Sequence, residues 1–235
     1  MKYASGIMVA RGDLGVEINA AEVPLIQKKL VNKAKKARIP VIIATQMMES
    51  MMDKITPNRA EVNDVANAVM DGADAVMLSG ETSVGKHPIE VIKIMSRIIL
   101  EVESKYENIY VKETLPKKNN ERFITDSICF NACRLSHRVE AKAIITMTHS
   151  GYTAYKISSQ RPKSEIFVFS SNKKLLSTLS LVWGVSTFYY DKTISTDHTI
   201  ADIMHLLKND NYVEIGDLVV NTASIPLGEN GKTNM

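Results

Sequence analysis

Long apolar runs are missing from this chain, and none approaches the ~18 residues that a membrane-spanning helix needs. Cysteine is almost absent. The two present, Cys129 and Cys133, stand four residues apart, too few for a zinc site or a disulfide framework. They read as buried thiols in a reducing compartment. A large charge imbalance is lacking too: 29 Lys and Arg against 26 Asp and Glu leave a net +3. That is too slight to mark a nucleic-acid or membrane partner. The first five residues lead straight into a strand-like run and hold no secretory apolar region, so the expected location is cytoplasmic. What is present is ordinary for a soluble globular protein: 45% hydrophobic and 23% charged over 235 residues, enough for one large domain or two average ones.

Three apolar runs of similar shape, Ile7–Ala10, Val41–Ala44 and Ala75–Leu78, each start 34 residues after the one before. That spacing suits a strand, a helix and two short loops. Each run stops in polar residues: Arg11-Gly12-Asp13, then Thr45-Gln46, then Ser79-Gly80-Glu81-Thr82. Parallel strands ending this way gather their polar groups on one face, as a (β/α)8 TIM barrel gathers a site from its strand ends. The segments between predict covering helices. Ile26, Leu30, Ala34 and Ala37 form an apolar stripe with Lys28, Lys29, Lys33, Lys35 and Lys36 mostly off it, which predicts a solvated outer face. Pro40 ends that helix. Met47–Met52 holds four methionines and predicts a short packed helix with the thioethers as core filler. Thr56-Pro57-Asn58 launches a helix over Arg59–Met70, closed by Asp71-Gly72, and Pro88 opens one that runs to about Tyr106. Three units are fewer than the eight of a closed barrel, so the expected fold is α/β: a partial TIM barrel over residues 1–107.

Val111–Glu121 is polar, carries Pro116 and lacks periodicity, and it predicts the linker. Beyond it, helices at about 122–137, 172–181 and 196–207 alternate with strands at Ala143–Thr146, Ile166–Phe169, Val185–Tyr189 and Asp217–Asn221. This is a smaller, open three-layer α/β domain over residues 108–235. Gly228-Glu229-Asn230-Gly231 reads as a hairpin turn whose partner strand is missing from the chain.

Two stretches are candidate sites. In Gly6–Gly15, Gly12 and Gly15 let the backbone turn and approach a ligand, and Asp13 sets a hard carboxylate at the strand's lip. The same decapeptide reads equally as a strand-to-helix turn with Asp13 as a local cap. In Thr148-His149-Ser150-Gly151-Tyr152-Thr153, hydroxyls and free amides at a helix start make a phosphate cradle, or else an ordinary capped helix. His149 has no partners at metal-ligand spacing.

Taken together, these residues resemble the pyruvate kinase family. Gly6–Gly15 is similar to the sixth barrel strand and following turn of that family. Val-Ile-Ile-Ala-Thr-Gln-Met-Met-Glu-Ser (41–50), the stretch 59–74 with Arg-Ala-Glu-Val-Asn-Asp-Val-Ala-Asn-Ala, and Met-Leu-Ser-Gly-Glu-Thr (77–82) follow in family order. The resemblance covers residues 1–235, more loosely past 160. It implies phosphoryl transfer from phosphoenolpyruvate to ADP, then protonation of the enol to give pyruvate, with Mg²⁺ (or Mn²⁺) and K⁺ as cofactors. Asp13 is implied as a metal ligand, and the amides of Gly12 and Asp13 as the grip on phosphoenolpyruvate. Thr45 is implied as a substrate-binding group near the proton path, with Ser79 and Glu81 in supporting catalytic roles. Arg59, with Asp64, is implied as a pair reaching across a subunit interface of a homotetramer. Thr148, His149, Ser150, Gly151, Tyr152 and Thr153 are implied as the loop for a phosphorylated effector, a sugar phosphate or AMP. Tyr152 stands where relatives responsive to the sugar bisphosphate often carry a basic residue. The family's essential lysine, its second metal carboxylate and its K⁺ site have no counterpart in these 235 residues. Arg11 does not replace the lysine, since it emerges from the wrong part of the strand end. The 235 residues alone are therefore expected to be inactive. The alternatives are a stand-alone phosphate-effector-binding module without catalysis, or a structural relative that only mediates assembly.

Overall fold

The computed structural model describes residues 3–107, 115–116, 121–192, 195–224 and 233–234. It divides into two compact units, Met1–Ile109 and Tyr110–Met235. The first is built on three parallel strands in the order β1 (Ile7–Ala10), β2 (Val41–Ala44), β3 (Ala75–Met77). Ala10 lies beside Ala44, and Ala44 beside Met77, so the three C-terminal ends are level. The 34-residue period thus becomes the register of β1 on β2, while β2 and β3 pair with an offset one residue shorter.

The helices between them follow from local chemistry. After β1 the chain enters α1 (Arg11–Glu17) at once, then α2 (Val23–Ala37), which has Pro at its start and Arg38 in the left-handed region at its end. The buried face of α2 is Gln27, Val31 and Ala34, while Ile26 and Leu30 are half-buried and Ala37 is exposed. This face is rotated by one residue from the expected stripe. The rotation lets Gln27 reach across to Asp71 of the next helix, donating to its carboxylate at 3.1 Å. Four of the five lysines lie on the exposed side and Lys35 is half-buried. The methionine segment is a 3-10 turn, Glu49–Met52. Met47, Met48 and Met51 are fully buried beside Val9, Val41, Ile43 and Val65. Each such burial contributes roughly 1.5–3 kcal/mol.

Helix α3 (Arg59–Asp71) opens on a capping box: the Asn58 side chain accepts from the Glu61 amide, and the Glu61 carboxylate accepts from the Asn58 amide. Gly72 ends it at φ +93, where an added Cβ would stand 2.7 Å from Lys35 Nζ. The short α4 (Gly80–Ser83) follows β3, and α5 (Pro88–Lys105) closes the unit.

The second unit is a five-stranded sheet in the order β6-β5-β4-β7-β8. Strands β4 (Ala143–Met147), β5 (Glu165–Ser170), β6 (Val185–Tyr189) and β7 (Val219–Ser224) are parallel. Helices α6 (Phe123–Arg138), α7 (Tyr152–Ser159), α8 (Lys173–Leu179) and α9 (Thr196–Asn209) complete it. One core cluster joins Cys129, Cys133, Ile144, Ile157 and Ile166; a second joins Ile145, Phe167, Phe169, Ile203 and Leu207. The partner strand read as missing is in the chain. Thr233–Asn234 (β8) pairs antiparallel with Ala223 and Ser224. The hairpin turn at 228–231 and most of the linker at 111–121 lie outside the described residues.

Both cysteines are buried thiols. Burial first, and the nearby Asp126 carboxylate second, push the Cys129 thiol up to about 12. A thiol so held is protonated and unreactive at neutral pH.

Candidate functional site

The three level strand ends of the first unit are stitched together by two charged side chains and one hydroxyl. Arg11, the first residue past β1, donates through Nη2 to the carbonyl oxygens of Thr45 (2.8 Å) and Gln46 (3.1 Å), the first two residues past β2. The same nitrogen lies 3.0 Å from Met47 Sδ. Its Nη1 pairs with Asp64 of α3. The Gly12 amide donates to Thr45 Oγ1 at 2.9 Å. On the other side, the buried Glu81 carboxylate accepts from the Met48 amide (3.1 Å) past β2 and from the Ser79 amide (2.8 Å) past β3. Charge-assisted bonds of this kind are about twice as strong as neutral ones.

Thr45 and Gln46 both have positive φ, +68 and +55. A β-branched residue such as Thr rarely adopts that region. Each such residue costs roughly 1–3 kcal/mol and persists only where the surroundings over-determine it. Here the over-determination is visible: Arg11 holds both carbonyls, and the Thr45 hydroxyl is engaged by the Gly12 amide. Because that hydroxyl oxygen accepts from Gly12, its own hydrogen stays available to donate elsewhere.

Several expectations change. Gly12 and Gly15 lie within α1 and are not among the positive-φ residues, and a Cβ on Gly15 would meet nothing within 4 Å. Neither glycine is therefore required by backbone conformation. The Gly12 amide is already engaged by Thr45, so it serves a ligand only if that hydroxyl moves aside. Asp13 is exposed in the first turn of α1, where a carboxylate complements the helix dipole. Ser79 is exposed at the head of α4. Glu81 is not: at 3% exposure, with both oxygens on backbone amides, it positions two loops rather than facing the mouth. The two residues of the implied interface pair are differently placed. Arg59 is exposed, and Asp64 is bound to Arg11 in its own chain. Five residues of helix put those two side chains on different faces.

The brace of Arg11 on Asp64 went unread in the sequence. One signal was present: Arg11 and Thr45 are a single 34-residue period apart, so both occupy the first position past a strand.

Among the described residues, no three His, Cys, Asp or Glu side chains gather as a metal cage. Asp13 is a single lip carboxylate. This fits Mg²⁺, which takes one or two protein carboxylates and completes its shell with waters and substrate oxygens. A cleft of about 720 Å³ opens alongside, lined by Arg11, Gly12, Gln46 and Asp64 together with Gln27 of α2 and Asn67 of α3.

In the second unit, the loop after β4 is shaped by hydroxyls. The Thr148 amide donates to the Phe169 carbonyl (3.1 Å), and Thr148 Oγ1 accepts from the Gly151 amide (3.0 Å). Gly151 sits at φ +79, with Leu175 Cδ1 2.7 Å from where a Cβ would stand. Thr153 is buried and its hydroxyl turns inward to Thr146 (3.0 Å). Tyr152 donates to Asp126 Oδ1 (2.6 Å), under the Arg122 guanidinium at 4.3 Å from its ring. Lys156 pairs with the other Asp126 oxygen at 3.2 Å. Of the six loop residues, His149 and Ser150 present themselves to solvent.

Both units match domains of known proteins. Residues 1–92 match the pyruvate kinase barrel domain and residues 126–235 match the pyruvate kinase alpha/beta domain. All 235 residues are 43% identical to a pyruvate kinase of Geobacillus stearothermophilus, covering 40% of it. A pyruvate kinase of Clostridium acetobutylicum is likewise 43% identical over 236 aligned residues, with 50% of its length covered. In three dimensions, 99% of the chain superposes on 47% of a pyruvate kinase crystal structure from Cryptosporidium parvum, with a TM-score of 0.84 and 34% identity. The chain thus spans about half the length of the relatives it matches or less. With two successive domains of one family matched in order, the chain belongs to the pyruvate kinase family.

Proposed function

We propose that this chain supplies part of the active site of a pyruvate kinase, which moves a phosphoryl group from phosphoenolpyruvate to ADP and yields pyruvate and ATP. The observation that carries the reading is the tying of the three strand ends to one another: Arg11 and the Gly12 amide hold Thr45, and Glu81 joins the loops past β2 and β3. Such transfers depend on positioning and on cationic stabilisation more than on covalent chemistry. Asp13 would hold Mg²⁺ (or Mn²⁺), which neutralises charge on the phosphoryl oxygens when bound; K⁺ is the second cation the family implies. The amides of Gly12 and Asp13 face the substrate head, Gly12 once the Thr45 hydroxyl has moved. Thr45 Oγ1 donates its hydrogen towards the enolate left when the phosphoryl group departs. Glu81 and Ser79 keep the loops past β2 and β3 in place.

Residues 1–107 then form the catalytic part and 108–235 the effector and assembly part. The exposed Ser150 and His149 are where a phosphorylated effector, a sugar phosphate or AMP, would meet the loop. Arg59 is the residue offered to a neighbouring subunit of a homotetramer. The cytoplasm is the proposed location.

In the full-length protein that carries this chain, Asp13→Asn should lower kcat/KM by about 10²-fold and Thr45→Val by a similar factor. A lactate-dehydrogenase-coupled assay reads both, and wild-type-like turnover of either variant defeats the reading. The 235 residues alone should show no turnover in that assay. Ser150→Asp should abolish effector activation through charge repulsion at the loop. Undiminished activation by sugar phosphates or AMP would remove the effector assignment while leaving catalysis untouched.

A further inference from the structure

We propose that Arg11 is a positioning residue of this site: anchored on Asp64, its guanidinium holds Thr45 and Gln46 in their left-handed conformation and so fixes the backbone from which the Thr45 hydroxyl reaches into the mouth. The proposal rests on the reading of Thr45 as a substrate-facing group.

Two consecutive non-glycine residues at φ +68 and +55 do not hold themselves, least of all with a β-branched side chain on the first. Their carbonyl oxygens, turned by that conformation, both accept from Nη2 of Arg11. A third contact, at 3.0 Å, is to the side-chain sulfur of the next residue, Met47. Nη1 is tied to Asp64 of α3, so the guanidinium has one fixed side and one gripping side. The strand register contributes as well. With Ala10 beside Ala44, residue 11 emerges directly next to residue 45.

Arginine chemistry explains why this residue type is here. A planar fork can engage a carboxylate with one nitrogen and two carbonyls with the other, whereas an ammonium is a point charge on a flexible stem. The Arg11 side chain is 11% exposed, and its Nε is buried without a hydrogen-bond partner among the described residues. A plain surface ion pair would leave no donor stranded. An unmet donor is tolerated where the rest of the group is constrained by something else, here the two carbonyls. Asp64, with its side chain 32% exposed on the cleft side, orients the fork and is the lesser partner.

Arg11→Lys and Asp64→Asn in the full-length protein test this, with amide hydrogen exchange and steady-state kinetics as readouts. Lysine keeps the charge and can reach Asp64 but cannot span both carbonyls. Arg11→Lys should therefore speed exchange of the Gly12 amide, which donates to Thr45 Oγ1, at least tenfold, while Val65 in the core of α3 keeps its protection. It should lower kcat at least tenfold with KM for ADP within twofold. Asp64→Asn should move both in the same direction by a smaller factor. Wild-type exchange at Gly12 in Arg11→Lys overturns the proposal. So does a loss of protection at Val65 equal to that at Gly12, which would mark a general structural role. Should the wild-type protein fail to turn over phosphoenolpyruvate and ADP, the reading of the site fails. The exchange result then still decides the brace: unchanged Gly12 protection overturns it, and selective loss of that protection upholds it.

Discussion

In the first unit the residues past β1, β2 and β3 are tied by ionised side chains: Arg11 on two carbonyls and Asp64, Glu81 on two amides. Past β4 in the second unit, the ties within the loop are two threonine hydroxyls and a left-handed glycine. A carboxylate of α6, Asp126, holds Tyr152 at the start of α7 and pairs with Lys156 one turn on. Both are strand-to-helix junctions at the C-terminal end of a parallel sheet, but they are secured differently. An ionic tie in a buried place is expensive to break, since the group left behind loses both water and partner. A neutral hydroxyl bond is worth about 1 kcal/mol net and can be exchanged for a ligand's oxygen. The first arrangement suits a site that must be set before substrate arrives. The second suits a loop that rearranges on binding, the behaviour the effector reading calls for.

The contrast can be broken at its strongest point first. Glu81→Ala strands the Met48 and Ser79 amides and should cost about 3 kcal/mol. Glu81→Gln keeps one acceptor and should cost about half of that. Urea unfolding of both variants reads the difference, and an alanine variant as stable as wild type would show that Glu81 does not secure these loops. Next comes the glycine of the second loop. Gly151→Ala places a Cβ at φ +79, 2.7 Å from Leu175 Cδ1, and should destabilise by about 2 kcal/mol. A thermal melt showing no change would mean that the loop already relaxes away from this conformation.

The smallest effect concerns the core beneath that loop. Below the ordinary thiol value of 9.0, both folded and unfolded chains keep the Cys129 proton; between there and about 12, the folded chain alone keeps it. The unfolded state then binds fewer protons, so stability falls as pH rises through this window. At pH 10 the loss due to Cys129 should be roughly 1.4 kcal/mol, about one pH unit's worth. Comparing Cys129→Ala with wild type at pH 8 and pH 10 isolates it from the tyrosines and lysines that titrate nearby. A pH-independent difference between the two would contradict this account of the thiol.

How much could be read in advance differs along the chain in the same way. The strand of residues 41–44 and the helix from Arg59 were legible to the residue, because an apolar run and an Asn-initiated helix are local features. The face of α2 was not. Its rotation by one residue depends on Gln27 finding Asp71, 44 positions away. In the candidate site, Thr45 and Asp13 were singled out, but the partner of Asp64 within its own chain was not legible. The ion pair that forms joins residues 53 apart. Tertiary register brings them together, and helix geometry keeps the sequence neighbours apart.

Sequence by itself determined the period of 34, the polar strand ends, the helix boundaries set by Pro, Asn and Gly, and the family. These are properties of short windows, where chain sterics and hydrophobic periodicity act without outside help. Only the tertiary structure decided that Thr45 and Gln46 adopt a left-handed backbone, that Arg11 and Asp64 pay for it, and that Glu81 faces inward. A strained conformation has no local signature, since its energy comes from partners that the chain brings alongside only when the strands align.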